Sequence, residues 1–366
     1  MRYDMNINKI RKMITNLEFE MIKTADVDTI AYLEDMINIY KDMLGSVTRN
    51  IHIDTIKSTI SSASYCYLIE DLSDLSIKPL VELLIDSFTL IKDFPFDDIY
   101  DIKIHETNDR LVELTNEFML KYLPKDYYDK YQKMIASDNF NLCINYGKDN
   151  DSCGHTAIDG VNKEKFVIVQ RNNIDIDTIT LPHEMFHSLF NDYTSYQINA
   201  NNLVYTREIE GTFANLLFID FMKSRNNNIA TNLDKQLLLF FQIRGLILMY
   251  CAYIINKEDK ENILGLNKYR NLFSECKIDL IDQMDIIELI RNENSEDLIS
   301  YNIAQLAATD LLYIYKNDPE LAFYLLSNLR SYRTDDDIIA NFRKNNLTFM
   351  DDGFHNFKGY IKQYKR

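Results

Sequence analysis

The stretch that most restricts how this chain can fold is Thr180-Leu-Pro-His183-Glu184-Met-Phe-His187-Ser-Leu. It reads His-Glu-x-x-His inside an apolar run that suits a helix. Residues four apart on a helix differ by about 40° in projection, so His183 and His187 share a face. Two imidazoles one turn apart can hold one Zn2+ ion. The glutamate beside the first can then act as general base on a water that the metal activates. Pro182 has no amide hydrogen to donate and is tolerated in the first helical turn. The helix is therefore expected to begin just before His183, with Thr178 or Thr180 as its N-cap.

Catalytic zinc usually keeps three protein ligands and one open position, so a third ligand is expected from elsewhere. The next acidic residues are Asp192, Glu208, Glu210 and Asp220. Asp192 falls at the far end of the same helix. The run from Tyr205 to Phe221 reads as a second helix, with few breakers and dense apolar positions. Glu208 and Glu210 sit about 200° apart on it, so one of the two can face the metal, and spacing does not choose between them.

The segment resembles the catalytic domain of the oligoendopeptidase F and thimet oligopeptidase family of zinc metallopeptidases, a gluzincin type. That family places its ligand glutamate at the head of a Glu-x-x-Ser-Thr-Phe type segment, and Glu208-Ile-Glu-Gly-Thr-Phe213 matches that register. The resemblance thus implies His183, His187 and Glu208 as ligands of one Zn2+ per chain, with Glu184 as the base. Ser152-Cys-Gly-His-Thr-Ala157, Lys165 to Asn172 and Asp177 to His183 follow the family's order of Gly-rich loop, apolar strand and zinc helix. The loop carrying Gly154 and His155 is implied to hug substrate. Ser300-Tyr301-Asn-Ile-Ala304 is similar to the family's Tyr-Ala-Thr-Gly segment, which makes Tyr301 the implied transition-state stabiliser. The tail from Asn345 to Phe354 resembles the family's last turn, and the likeness spans about residues 140–366.

The implied architecture is mainly α: two helical lobes around a central cleft, with a small β-sheet beside the zinc helix. The expected division is an N-terminal helical lobe at 1–138, short for the family, and a catalytic domain at 139–366. Four positions depart from the family's pattern. Phe186 stands for its glycine, Phe190 for the third histidine of its extended motif, Asn215 for an acidic residue and Ala304 for a glycine. None of these removes a ligand or the base.

The rest of the chain agrees with a helical enzyme. Only 9 Gly and 5 Pro interrupt 366 residues, a length that allows one large domain or two lobes. Residues 4–137 show apolar recurrence at three and four, with breaks at Lys78-Pro79, Phe94-Pro95 and Leu123-Pro124. Asn141-Leu-Cys-Ile-Asn145 and Phe166-Val-Ile-Val169 read as strands. The outer edge of the second, carrying Val167 and Val169, could take an extended peptide as an added strand. Asp318-Pro319-Glu320 reads as an N-cap followed by Pro at the first helical position.

A net charge of -16 disfavours nucleic acid and anionic membrane partners, since phosphate binding needs clustered Lys and Arg. The apolar run at 236–256 nearly has the length to span a bilayer, but Arg244 sits near its middle, so a buried core helix is expected. Five cysteines without C-x-x-C spacing, and no signal-peptide pattern at the N-terminus, fit a cytoplasmic protein. The expected activity is zinc-dependent endopeptidase cleavage of peptides or oligopeptides. The alternative, suggested by Phe186, Phe190 and the lost glycines, is a zinc-containing peptide-binding protein of the same fold with weak or no turnover.

Overall fold

The computed structural model describes residues 78–92, 106–144, 153–158, 165–190, 206–227, 229–275, 295–329 and 353–364, with short pieces at 14–17, 21, 23, 37, 102–104, 342–344 and 347. Most of the expected N-terminal helices, the break at Phe94-Pro95, and Asp192 lie outside these residues, although Ile14, Leu17 and Ile37 are described and buried. The described chain is mainly helical. In order come α1 (Lys78–Phe88), α2 (Asn108–Tyr122), α3 (Lys125–Ile135), β1 (Phe140–Ile144), β2 (Cys153–Ile158), β3 (Lys165–Arg171), α4 (Asp177–Phe190), α5 (Ile209–Ser224), α6 (Ile229–Glu258), α7 (Arg270–Glu275), α8 (Ser295–Asn317), α9 (Pro319–Asn328) and α10 (His355–Lys362).

The chain forms two units. The first takes residues 1–53, 101–196 and 217–229. Its sheet has the order β1-β3-β2, with β1 parallel and β2 antiparallel to β3. β3 is therefore central, and both of its edges are already paired. This corrects the expectation that β3 offers an outer edge; among the described residues the edge strands are β1 and β2. β2 was expected as a loop. Its Gly154 interrupts the apolar texture that marks β1 and β3, but its backbone pairs with β3 from Cys153↔Gln170 to Ile158↔Lys165.

A short polar segment joins β3 to α4 and fixes where that helix starts. The Asp177 carboxylate accepts from the amides of Asn172 and Ile174, both at 3.1 Å. Asn173 between them takes φ 61°, a left-handed conformation that asparagine tolerates better than most residues. The helix consequently begins at Asp177, earlier than expected, and Pro182 lies inside it. Thr178 and Thr180 are not caps. Their hydroxyls donate back to the carbonyls of Asp175 (2.7 Å) and Ile176 (3.0 Å). His183 is thus the seventh residue of a 14-residue helix, held in its middle rather than at its frayed start.

Aromatic packing fixes the back of α4. Phe118 of α2 is fully buried and touches Phe186 (centroids 6.2 Å), Phe218 (5.2 Å) and Phe221 (5.8 Å). Phe190 stacks on Tyr127 of α3 at 4.3 Å. Each such buried ring contributes on the order of 1.5–3 kcal/mol relative to an exposed one. Phe186 and Phe190, two of the departures from the family's pattern, are therefore the residues that dock the helix on α2 and α3.

The second unit takes residues 54–100, 197–216 and 230–366. The middle of α8 is buried along its length, from Leu298 through Ile303 and Leu306 to Leu311. The fully buried Asp234 carboxylate accepts from the hydroxyls of Tyr360 and Tyr364. Asp318 caps α9 by accepting from the Leu321 amide at 3.0 Å, with Pro319 at the first helical position, as expected. α6 is long and apolar enough to cross a membrane by length and composition, with 53% of that window buried inside the protein. Gln242 on α6 donates to the carbonyls of Ile91 (2.9 Å) and Lys92 (3.1 Å), and Gly245 leaves room for the Phe88 ring.

Candidate metal centre

One face of α4 brings two imidazoles edge to edge. Nε2 of His183 and Nε2 of His187 are 3.0 Å apart, and the rings meet at 81° with centroids 4.7 Å apart. Both residues are 9% exposed, so the pair is nearly enclosed yet keeps an opening. The approach follows from the helix, because positions i and i+4 lie one above the other. The ligand atoms of His183, His187 and Glu208 all lie within 4.8 Å of one another, and among the described residues no other group of this kind occurs.

Glu208 stands just ahead of α5, where its carbonyl accepts from the Thr212 amide at 2.9 Å. This helix starts at Ile209, later than the expected Tyr205. The Arg207 guanidinium lies 3.6 Å from the Glu208 carboxylate. Glu210 is buried within the first turn of α5 and is not part of the cluster. Asp220 instead accepts from the Tyr122 hydroxyl at 3.4 Å.

The donor set fits zinc. Two nitrogens bound to one tetrahedral zinc at 2.0–2.1 Å stand about 3.3 Å apart, close to the observed separation. Two neutral imidazoles and a carboxylate match a known catalytic ligand set and leave a fourth position for water or substrate.

Glu184 follows the first histidine and is 6% exposed. Its carboxylate lies against β2. The Thr156 hydroxyl is 2.7 Å from Oε2 of Glu184 and 2.8 Å from the Glu184 carbonyl oxygen. Gly154, two residues earlier on the same strand, leaves the space that the carboxylate fills. Sequence reasoning passed over Thr156. Its one signal was its place two residues after Gly154, which puts both on the same side of a strand.

The remaining expected residues fall as follows. Gly154 and His155 belong to β2 rather than to a loop. Val167 and Val169 pair with Thr156 and Gly154 and are fully buried. Directly opposed residues of an antiparallel pair point to the same side, so both valines lie on the side of the sheet that α4 covers. Their side chains pack; they do not offer a surface to a peptide. Tyr301 is half-buried on α8, with the Arg244 guanidinium 4.4 Å from its ring centroid.

No protein-family model matches the sequence, and no curated protein matches it. Solved structures do match the fold. A presumed peptidase from Chlamydophila abortus aligns over 98% of this chain and 62% of its own, at 16% identity and a TM-score of 0.52. A presumed oligoendopeptidase F aligns over 96% and 65%, at 12% identity and a TM-score of 0.51. PZ peptidase A, solved with an inhibitor, aligns over 92% and 63%, at 11% identity and a TM-score of 0.50. The chain spans less than two thirds of the length of each of these proteins. At such identities the likeness is one of fold, and the fold is that of the oligoendopeptidase F structures.

Proposed function

From this fold and the two-histidine helix, we propose that the protein is a zinc-dependent endopeptidase acting on peptides or oligopeptides. The observation that carries the reading is the pair of His183 and His187 imidazoles, with Nε2 atoms 3.0 Å apart, on the helix that also holds the enclosed carboxylate of Glu184. His183, His187 and Glu208 would hold one Zn2+. Bound there, zinc supplies a Lewis acid that polarises a scissile carbonyl and lowers the pKa of water.

The chain's own groups do the rest. The Glu184 carboxylate takes a proton from the attacking water and returns it to the leaving amine. Burial, which leaves Glu184 6% exposed, keeps that carboxylate from bulk water and strengthens its interactions. Tyr301 is assigned as donor to the oxyanion that forms on the former carbonyl. An extended peptide would add to the edge of β2, where backbone amides and carbonyls pair without regard to sequence. Gly154 and His155 would meet it through their backbone. The cysteine pattern supports a cytoplasmic setting.

Glu184→Gln tests the reading. Turnover of a fluorogenic peptide should fall by about 10²–10⁴-fold, the usual contribution of a general base, while bound zinc is unchanged. Full turnover by the variant would remove Glu184 from the role.

A further inference from the structure

We propose that Thr156 is a positioning residue: its hydroxyl, with the bare Cα of Gly154, sets the orientation of the Glu184 carboxylate. This rests on the reading of Glu184 as general base and extends it to a residue on another element, 28 positions away in sequence.

Glu184 has an unbranched side chain with three rotatable bonds, and a helix restricts only the first of them firmly. The carboxylate therefore needs something beyond α4 to hold it. β2 provides this twice. Thr156 Oγ1 stands 2.7 Å from Oε2, and the flanking Gly154 offers no β-carbon, so Cδ and Oε1 settle against the strand. Among the described residues Thr156 is the one hydrogen-bond partner of this carboxylate.

A threonine hydroxyl has one proton and here faces two acceptors, the Oε2 atom and the Glu184 carbonyl. That carbonyl lies inside α4, where the helix supplies its own amide donor. The carboxylate has no such partner, and a hydrogen bond to an ionised acceptor is the shorter and stronger kind. The proton accordingly belongs to Oε2. The branched Cβ of threonine suits a strand and has few χ1 choices there, so the hydroxyl is itself held in place.

The β2–β3 register explains why this works. Thr156 is paired with the fully buried Val167, and Gly154 with the fully buried Val169. A shift of β2 by one residue would turn both Thr156 and Gly154 away from α4. The sheet thus transmits its register to the angle of one carboxylate.

The test uses the zinc-loaded full chain with Thr156→Val, which keeps the shape and removes the hydroxyl, and Thr156→Ser, which keeps the hydroxyl. Thr156→Val should lower kcat by about 10- to 100-fold, as a misplaced reacting group does, with KM within about twofold and zinc retained. Thr156→Ser should restore kcat to within about threefold of the parent protein. A Thr156→Val protein with the parent's kcat, or a serine variant as slow as the valine one, would overturn the inference. Glu184→Gln in the same assay separates the two ideas. If it is inactive and Thr156→Val keeps the parent's kcat, only the positioning role falls. If it keeps full turnover, the base reading falls and the positioning role with it. A crystal structure of Thr156→Val without metal gives an answer independent of turnover. The Glu184 carboxylate should move off β2 or occupy several orientations, and an unmoved, singly oriented carboxylate would overturn the inference.

Discussion

A β-carbon on Gly154 would stand 2.6 Å from Oε1 and 2.7 Å from Cδ of Glu184, closer than such atoms approach in proteins. The absence of a side chain at Gly154 is therefore a requirement of where Glu184 lies. Gly154→Ala must move either the strand or the carboxylate. We expect turnover to fall by about 10²-fold, the loss that an ångström of misplacement causes. Zinc content should not change, because Gly154 supplies no ligand atom. An alanine variant as active as the parent would show that the carboxylate works from another orientation.

The helix that carries this chemistry was legible because its motif and its apolar spacing say the same thing. His183 and His187 share a face on any helix, and the structure places their Nε2 atoms 3.0 Å apart. The cap at Asp318 and Pro319 was equally legible, since capping is local chemistry. The start of α4 was not. Pro182 argued for a start close to His183, whereas the amides of Asn172 and Ile174 on the Asp177 carboxylate move it upstream. β2 was missed because a strand interrupted by Gly154 gains its order from pairing with β3, which lies outside its own sequence. The choice of Glu208 over Glu210 came from resemblance alone. Spacing left it open.

That choice yields a paired prediction. Glu208→Gln should weaken zinc binding by at least about 10- to 100-fold, because it removes a charged ligand where even outer partners have that effect. Glu210→Gln should leave zinc affinity unchanged. Competition with a chromogenic chelator reads both variants. Equal affinities in the two would mean that the third ligand is another residue.

The buried thiol of Cys251 on α6 predicts a pH dependence of stability. Burial pushes its pKa from 9.0 up to about 12. The unfolded chain therefore gives up this proton at a lower pH than the folded chain does. The contribution to stability is whole below pH 9.0 and is lost as pH rises toward 12. Denaturation midpoints should fall across that window, and Cys251→Ala should flatten the fall. Burial and the nearby Asp234 charge hold Tyr364 far above its ordinary value, so part of the slope will remain in the variant. At pH 8, folded Cys251 should resist iodoacetamide, which attacks as the thiolate forms, and should react once the chain unfolds. Rapid labelling of the folded protein would contradict the burial.

The most direct test of the central claim is metal content by mass spectrometry on protein purified without chelator, beside His183→Ala. The account predicts about one equivalent of zinc per chain in the parent protein, as one three-ligand site requires, and its loss in the variant. A parent protein that binds no zinc even when zinc is supplied would contradict it.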